Sequence, residues 1–149
     1  MKDVTPMRIL KIASCQTVSG KSTLTYHVGC FPDGDIHVRI YSNTAAGFFS
    51  KEWLSLTTIE AALVKGGAAF TSFALQPLFK GKSQNNTAFL LAVLLSEKLI
   101  GAVPDKKRAY TKIDAGRFLA NIKALIDSDT SLKEDDKPAK ATKKKESGS

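Results

Sequence analysis

Residues 15–23 read CQTVSGKST, and Gly20, Lys21, Ser22 and Thr23 are the residue types that end a phosphate-binding P-loop. The full pattern, G-x-x-x-x-G-K-[ST], begins with a glycine whose backbone curls around the phosphates. Cys15 stands at that position and obstructs the curl. A P-loop must also follow a strand and open a helix, so that the helix N-terminus faces the phosphate. Residues 7–13 can supply the strand. Whether a helix follows depends on the residues after Ser22.

The chain after Lys21 alternates polar and apolar residues over residues 22–31 and again over 36–41. A period of two predicts strands with one buried face. Between them, Pro32, Asp33 and Gly34 suit a three-residue hairpin loop, because proline presets the first turn dihedral and glycine supplies the left-handed position. A strand therefore follows Lys21, and the P-loop interpretation fails. A phosphate-binding enzyme that uses Lys21 stays as the third and least favoured hypothesis.

Counting outward from this loop sets the register of the hairpin. The predicted pairs are Phe31 with Asp35, Gly29 with His37, His27 with Arg39, and Thr25 with Tyr41. The register places all the large apolar residues on one face, as burial requires. These residues are Leu24, Tyr26, Val28, Cys30, Ile36, Val38 and Ile40.

The opposite face is predicted to be exposed and to carry Thr23, Thr25, His27, His37, Arg39 and Tyr41. Such a face suits nucleic acid, because Tyr41 can stack on a base and Arg39 can pair with a phosphate. The alternative is a solvated face, or one covered by another element or by a second subunit.

A further strand is predicted over residues 48–56, and Thr57 with Glu60 fits a capping box that opens a short helix ending at Gly66 and Gly67. A sheet hairpin, a loop and then LSLTTIEAAL, together residues 22–66, resemble the order of elements in the transcriptional-coactivator and Whirly-type modules. In that family a curved antiparallel sheet meets single-stranded DNA and the helix supports dimerisation. The resemblance implies DNA contacts at Arg39, Tyr41 and Lys51, and a homodimer.

The second half of the chain is predicted to be helical. Phe70, Phe73 and Ala74 share a helical face until Pro77, and a central core helix runs from Asn86 or Thr87 to Gly101. The last helix starts at Thr111 with Asp114 three residues on. Its apolar stripe is Ala115, Phe118, Leu119, Ile122 and either Leu125 or Ile126.

Basic residues concentrate in the loops of this second half. Lys106, Lys107, Arg108 and Lys112 form the densest positive run of the folded part, and Lys80 and Lys82 lie in another polar loop. They are predicted to contact phosphates and to position a strand without reading its sequence. The alternative is that a loop between helices is basic because it is solvated.

The composition agrees with a single basic domain. The chain has 149 residues, 43% hydrophobic content, a net charge of +8 and a pI near 9.5, which favours a polyanionic partner. Two cysteines give no disulfide framework, the N-terminus lacks the features of a signal peptide, and the most apolar run, residues 88–103, is too short for a span of about 20 residues. A cytoplasmic protein without membrane contact is therefore expected.

Catalytic and metal-binding constellations are not recognised in the sequence. The spacing of Cys15, His27, Cys30 and His37 matches no ordinary zinc pattern, and the predicted register separates Cys30 from both histidines. No catalytic motif is present, so a non-enzyme without metal or cofactor is predicted.

We therefore predict an α+β domain over residues 1–127, with an antiparallel sheet of three or four strands packed against about four helices. Residues 128–149 are predicted to be a disordered, lysine-rich tail, because they contain too few apolar residues to offset the entropy of ordering. The predicted function is a non-enzymatic accessory protein that binds single-stranded DNA or RNA with little sequence preference. The second hypothesis is a protein-interaction or inhibitor module that uses the exposed sheet face.

Overall fold

The computed structural model describes residues 7–44, 49, 51–79, 85–133 and 136–138. They form the predicted α+β fold, a four-stranded antiparallel sheet with three α-helices, a 3₁₀ helix and a two-stranded hairpin. Lys80, Lys82 and residues 139–149 of the predicted tail lie outside the described residues. The elements in chain order are β1 (Arg8–Gln16), β2 (Thr23–Cys30), β3 (Ile36–Asn43), β4 (Leu54–Ser55), α1 (Leu56–Lys65), the 3₁₀ helix (Ser72–Phe79), α2 (Asn85–Ser96), β5 (Ile100–Ala102), β6 (Tyr110–Lys112) and α3 (Gly116–Asp127).

The GKST stretch is the turn that joins β1 to β2. Thr17 N donates to Ser22 O at 3.0 Å, and Gly20 N donates to Thr17 O at 2.8 Å. Gly20 has a φ of 75°, a left-handed conformation that glycine adopts without the cost of a Cβ. The strand β2 begins at Thr23, so the rejection of a P-loop is confirmed.

The register of the β2–β3 hairpin is confirmed near its loop and shifts beyond Tyr26. His27 pairs with Arg39 and Gly29 with His37, as predicted, but Thr25 pairs with Ser42 and not with Tyr41. An extra residue is accommodated in β3 at Tyr41, between the pairs Tyr26–Ile40 and Thr25–Ser42. A bulge of this kind bends a strand and changes the direction of a side chain, which simple counting from the loop misses.

The core forms on the predicted inward face of the sheet. All seven apolar residues of that face join it, although Ile36 is only partly buried. The helix α2 covers this face and is buried nearly all round from Phe89 to Leu94, which confirms the predicted central core helix. Ile59 and Leu63 from α1 and Leu75 from the 3₁₀ helix complete the packing.

Several predicted boundaries in the second half were wrong. The helix α2 ends at Ser96, because Lys98 takes a φ of 60° and turns the chain into β5. Thr111 lies in β6, so α3 begins only at Gly116. Phe70 lies in an isolated bridge before the 3₁₀ helix, and Phe73 is 70% exposed within that helix, which continues through Pro77. The prediction that they share one helical face ending at Pro77 was therefore also wrong. Local periodicity did not show the short β5–β6 hairpin, whose strands have three residues each.

The cap of α1 also differs from the prediction. Ser55, and not Thr57, is the N-cap residue, and its side chain accepts a hydrogen bond from Thr58 N at 3.5 Å. The helix ends at Gly66 as predicted, and Gly67 follows with a φ of 89°.

The chain after α3 returns to β1. Leu132 N donates to Ile9 O at 2.9 Å, forming an isolated antiparallel bridge. Arg8 Nε donates to Thr130 O at 2.6 Å. The first residues of the predicted tail, as far as Leu132, therefore contact the domain.

Candidate nucleic-acid interface

The predicted nucleic-acid platform on the sheet is a packed cluster of rings and cations. It consists of His27, Arg39, Tyr41, Lys51 and Trp53, which we call the sheet-face cluster. The His27 and Tyr41 rings stack with their centroids 4.3 Å apart, and Arg39 Nε donates to His27 Nδ1 at 3.1 Å. Arg39 Cζ also lies 4.5 Å from the centroid of the Trp53 ring, a cation–π distance.

Trp53 lies across this face of the sheet because Gly29 leaves room for it. A Cβ atom at Gly29 would lie 3.0 Å from Trp53 Cη2 and 2.7 Å from Arg8 O. The residue directly after Trp53 pairs with Val38, which brings the tryptophan alongside Arg39. Any side chain at position 29 would therefore crowd both the Arg8 backbone and the Trp53 ring.

The prediction that His27 and His37 are exposed was wrong. His27 is fully buried at 0% exposure, and His37 is 9% exposed and packs edge-on against Phe31 at 4.7 Å between centroids. The physical reason is that other rings cover them, Tyr41 and Trp53 at His27 and Phe31 at His37, which the alternation of β2 and β3 alone does not reveal. Neither histidine ring is presented to a ligand.

The other predicted contacts in the sheet-face cluster are accessible, and Trp53 is half-buried beside them. Lys51 is exposed, and Arg39 and Tyr41 are half-buried. Lys51 Nζ lies 4.8 Å from the centroid of Tyr41, so a cation already sits on that ring. The cluster can offer two cations and the exposed part of an aromatic ring to an anionic strand.

A second predicted set of residues converges on a groove. Lys21, from the β1–β2 turn, and Arg108, from the β5–β6 turn, line the same groove of about 680 Å³. We call it the basic groove, and none of the described residues that line it is acidic. They are Thr17, Val18, Ser19, Lys21, Ser22, Asn43, Ser72, Asn85, Ala88, Phe89, Leu91, Arg108 and Tyr110.

Three elements fix the geometry of the basic groove. The first residue of α2, Asn85, lies in its wall. Tyr110 is held by two backbone hydrogen bonds with Phe70, of 2.7 and 2.8 Å. Arg108 has a φ of 57°, a left-handed conformation that is unusual for a residue with a side chain.

The remaining predicted basic residues are placed differently. Lys106 and Lys107 are exposed in the same turn as Arg108 but do not line the groove. Lys112 Nζ lies 3.4 Å from Glu60 Oε2, in an ion pair that links β6 to α1. The structure thus brings Lys21 and Arg108 together and leaves Lys112 with an internal partner.

A buried carboxylate was not recognised in the sequence. Glu97, just after α2, has a side chain only 8% exposed, and Lys11 Nζ lies 2.9 Å from its Oε2. The Tyr26 hydroxyl also donates to Glu97. Burial, together with the negative charge of Glu97, raises the pKa of Tyr26, which is therefore a neutral donor. The available signal was the acidic Glu97 within the most apolar run of the sequence, residues 88–103.

Cys15 lies near this carboxylate, and its thiol is expected to react slowly. Burial, and then the charge of Glu97, raises the pKa of Cys15 to about 11. Because the thiolate is the nucleophile, a Cys30→Ser variant should react with iodoacetamide at pH 8 about a hundredfold more slowly than free cysteine does. The measurement is mass-spectrometric alkylation, with the urea-unfolded variant as the control. A native rate equal to the unfolded rate would contradict this prediction.

Neither a metal centre nor a membrane span emerges from the described part of the chain. No group of three or more His, Cys, Asp or Glu side chains there could hold a metal ion. No helix there is both long and apolar enough to cross a membrane.

The fold and its surfaces define a basic α+β protein with a four-stranded antiparallel sheet, a groove lined by Lys21 and Arg108, and an aromatic–cationic cluster on the sheet. Comparisons with protein-family models, curated proteins and solved structures gave no match. The resemblance to Whirly-type modules therefore remains a prediction.

Proposed function

We propose that this protein is a non-enzymatic accessory protein that binds single-stranded nucleic acid, with its phosphates in the basic groove. The observation that carries the proposal is the convergence of Lys21 and Arg108 on a groove that has no acidic residue among its described lining. These residues belong to turns far apart in the sequence, and only the fold brings them together. Two cations that line one groove favour phosphate oxygens as ligands.

The lining of the basic groove can also form hydrogen bonds with the polar groups of a nucleotide. Hydroxyl and amide side chains, such as those of Ser22, Asn43 and Ser72, can hydrogen-bond to phosphate and sugar oxygens. The N-terminus of α2 adds a partial positive charge. A volume of about 680 Å³ lies within the range of about 300–1,000 Å³ that is typical of small-ligand sites. The groove is thus large enough for a nucleotide unit of a strand.

The sheet-face cluster can extend the contact beyond the groove. Asn43, which lines the groove, lies two residues along β3 from Tyr41, about 7 Å at the usual rise of a strand. A strand leaving the groove can reach Tyr41, Arg39 and Lys51, the same positions that the Whirly-type resemblance implies for DNA contact. The homodimer implied by that resemblance belongs to the same proposal.

The test is the salt dependence of binding. A fluorescein-labelled single-stranded oligonucleotide should bind the full chain at low salt, with a logarithmic slope against salt concentration of about −2 to −4, because each phosphate contact on a single strand contributes about −0.7. Fluorescence anisotropy measures the affinity, and a duplex of the same sequence and an uncharged-backbone analogue serve as controls. Undetectable binding of the single strand at low salt, or equal binding of the uncharged analogue, would refute the proposal.

A further inference from the structure

A second groove lies between β1 and α3, away from the residues that line the basic groove. Its volume is about 1000 Å³, and we call it the β1–α3 groove. Leu10, Lys11 and Ile12 of β1 line one side. Phe118, Ile122 and Leu125 of α3 line the other. The two sides thus differ in kind, since one is a strand and the other is the apolar stripe of a helix.

The strand side of the groove is a sheet edge. The order of the sheet places β1 at one end, next to β2 alone. Three consecutive residues of β1 line the groove, although side chains alternate between the faces of a strand, so the backbone of β1 borders it. Within the described ranges, the bridge between Ile9 and Leu132 is the one pairing on the outer edge of β1. Backbone groups on an unpaired edge are a template for another strand.

The chain itself shows how this edge is used. Leu132, which also lines the β1–α3 groove, pairs with Ile9 in the antiparallel direction through its backbone N–H. The edge of β1 continues beyond this single bridge from Leu10 to Gln16, a length of about 20 Å at the usual rise of a strand. A groove between an edge strand and a helix is where peptides bind by strand addition, with backbone hydrogen bonds providing affinity and side-chain pockets providing specificity.

The charges at the groove indicate which peptide fits. Of its two acidic lining residues, Glu97 is buried and held by Lys11 and Tyr26, whereas Asp114 is exposed and accepts from Gly116 N at 3.3 Å. The other charged lining residues are basic, namely Lys98, Arg117 and Lys137. Opposite charge across an interface favours association and rejects partners of like charge. A second copy of this chain, with its net charge of +8, fits less well than an acidic segment.

We propose that the β1–α3 groove binds an extended acidic peptide of a partner protein, which adds to β1 as an antiparallel strand. Alternate apolar side chains of the peptide pack against Ile113, which is 39% exposed, and against the partly buried Leu125, while its carboxylates face Arg117 and Lys98. This site is independent of the basic groove, so either proposal can fail without the other.

Two short labelled peptides test the charge preference. One alternates valine with glutamate over about eight residues, and the other alternates valine with lysine. The full chain should bind the glutamate peptide with a dissociation constant of tens of micromolar, and at least about tenfold more tightly than the lysine peptide. Fluorescence anisotropy measures both. No binding of the glutamate peptide at about 1 mM, or equal binding of both peptides, would overturn the proposal.

Matched variants locate the binding site on α3. Arg117→Glu should weaken binding of the glutamate peptide about tenfold, whereas Lys123→Glu should change it less than about twofold. The Lys123→Glu variant has the same change of charge on the same helix, but Lys123 does not line the groove. Circular dichroism of both variants verifies that each is folded. Equal losses in the two variants would show a non-specific charge effect and would refute the site.

Hydrogen exchange tests the strand addition itself. Saturating glutamate peptide should slow amide exchange within Lys11–Gln16 of β1, because the outward N–H groups gain acceptors. Protection confined to other elements would overturn the strand-addition geometry. Sedimentation and hydrogen exchange without peptide complete the test. A stable dimer whose β1 amides are already protected would assign the edge to a second copy of this chain.

Discussion

Reversing the charges of Lys21 and Arg108 together is expected to reduce the affinity for a single-stranded oligonucleotide about a hundredfold at low salt. Each lost charge-assisted phosphate contact is worth about 1.4 kcal/mol or more, which corresponds to about tenfold in affinity. The salt dependence should also become shallower by about 0.7 for each contact removed. Anisotropy titrations of Lys21→Glu/Arg108→Glu over a range of salt concentrations measure both quantities.

The matched control for this variant is Arg117→Glu/Lys123→Glu. Both double variants lower the net charge from +8 to +4, but Arg117 and Lys123 lie on α3 and do not line the basic groove. We expect the control to lose less than about fivefold in affinity, since it changes the overall field and removes no groove contact. Equal losses in both variants would mean that binding depends on net charge alone, and the basic groove would be rejected as the site.

Arg108→Gly separates the role of the side chain from that of the turn. Arg108 has a φ of 57°, which costs a residue with a Cβ about 1 kcal/mol relative to glycine. The glycine variant should therefore be at least as stable as the parent in thermal unfolding, yet bind the oligonucleotide about tenfold more weakly. A drop in melting temperature together with unchanged binding would show that Arg108 serves the fold and not the ligand.

The sheet could be predicted from the sequence because its signals are local. Alternation across residues 22–41 and the Pro32–Asp33–Gly34 loop together fix the hairpin and its inward face, since a one-residue slip would expose the core. The central helix was equally clear, because a run from Phe89 to Leu94 that is apolar on all sides must be buried.

The candidate sites could be predicted only in part, because they depend on contacts between distant segments. The basic character of Lys21 and Arg108 was evident from the sequence, but their convergence on one groove depends on where α2 and the β5–β6 hairpin pack. The alternation around His27 correctly predicted which face of the sheet it lies on, yet the sequence contains no local sign that Trp53 crosses that face. The bulge at Tyr41 was hidden for a related reason, since the hydrophobic pattern before it is uninterrupted.

Trp53→Ala is expected to destabilise the protein by about 3 kcal/mol, the lower end of the range for truncating a packed tryptophan. The ring lies over Gly29, contacts Arg39 and lies within 6.2 Å of the His27 centroid, so its loss opens the histidine face to water. For a chain of this size, the melting temperature should fall by about 10 °C. Urea unfolding followed by circular dichroism measures the change without relying on the removed fluorophore.

Phe73→Ala is the matched control for this truncation. It also replaces an aromatic ring with a methyl group, but Phe73 is 70% exposed, so its loss should cost less than about 0.5 kcal/mol. If both variants lose the same stability, Trp53 does not hold the sheet-face cluster together.

The double variant Trp53→Ala/Arg39→Ala tests the contact between the cation and the ring. We expect its loss of stability to be smaller than the sum of the two single losses by about 0.5–1 kcal/mol, because each single substitution already removes the same cation–π contact. Strict additivity would mean that Arg39 stabilises the fold through contacts other than Trp53, such as those with His27 Nδ1 and the Tyr41 ring. This coupling is measured without a ligand, so it gives the contribution of Arg39 to the stability of the fold. Any weaker binding by an Arg39→Ala variant can then be corrected for that loss of stability before it is attributed to a missing phosphate contact.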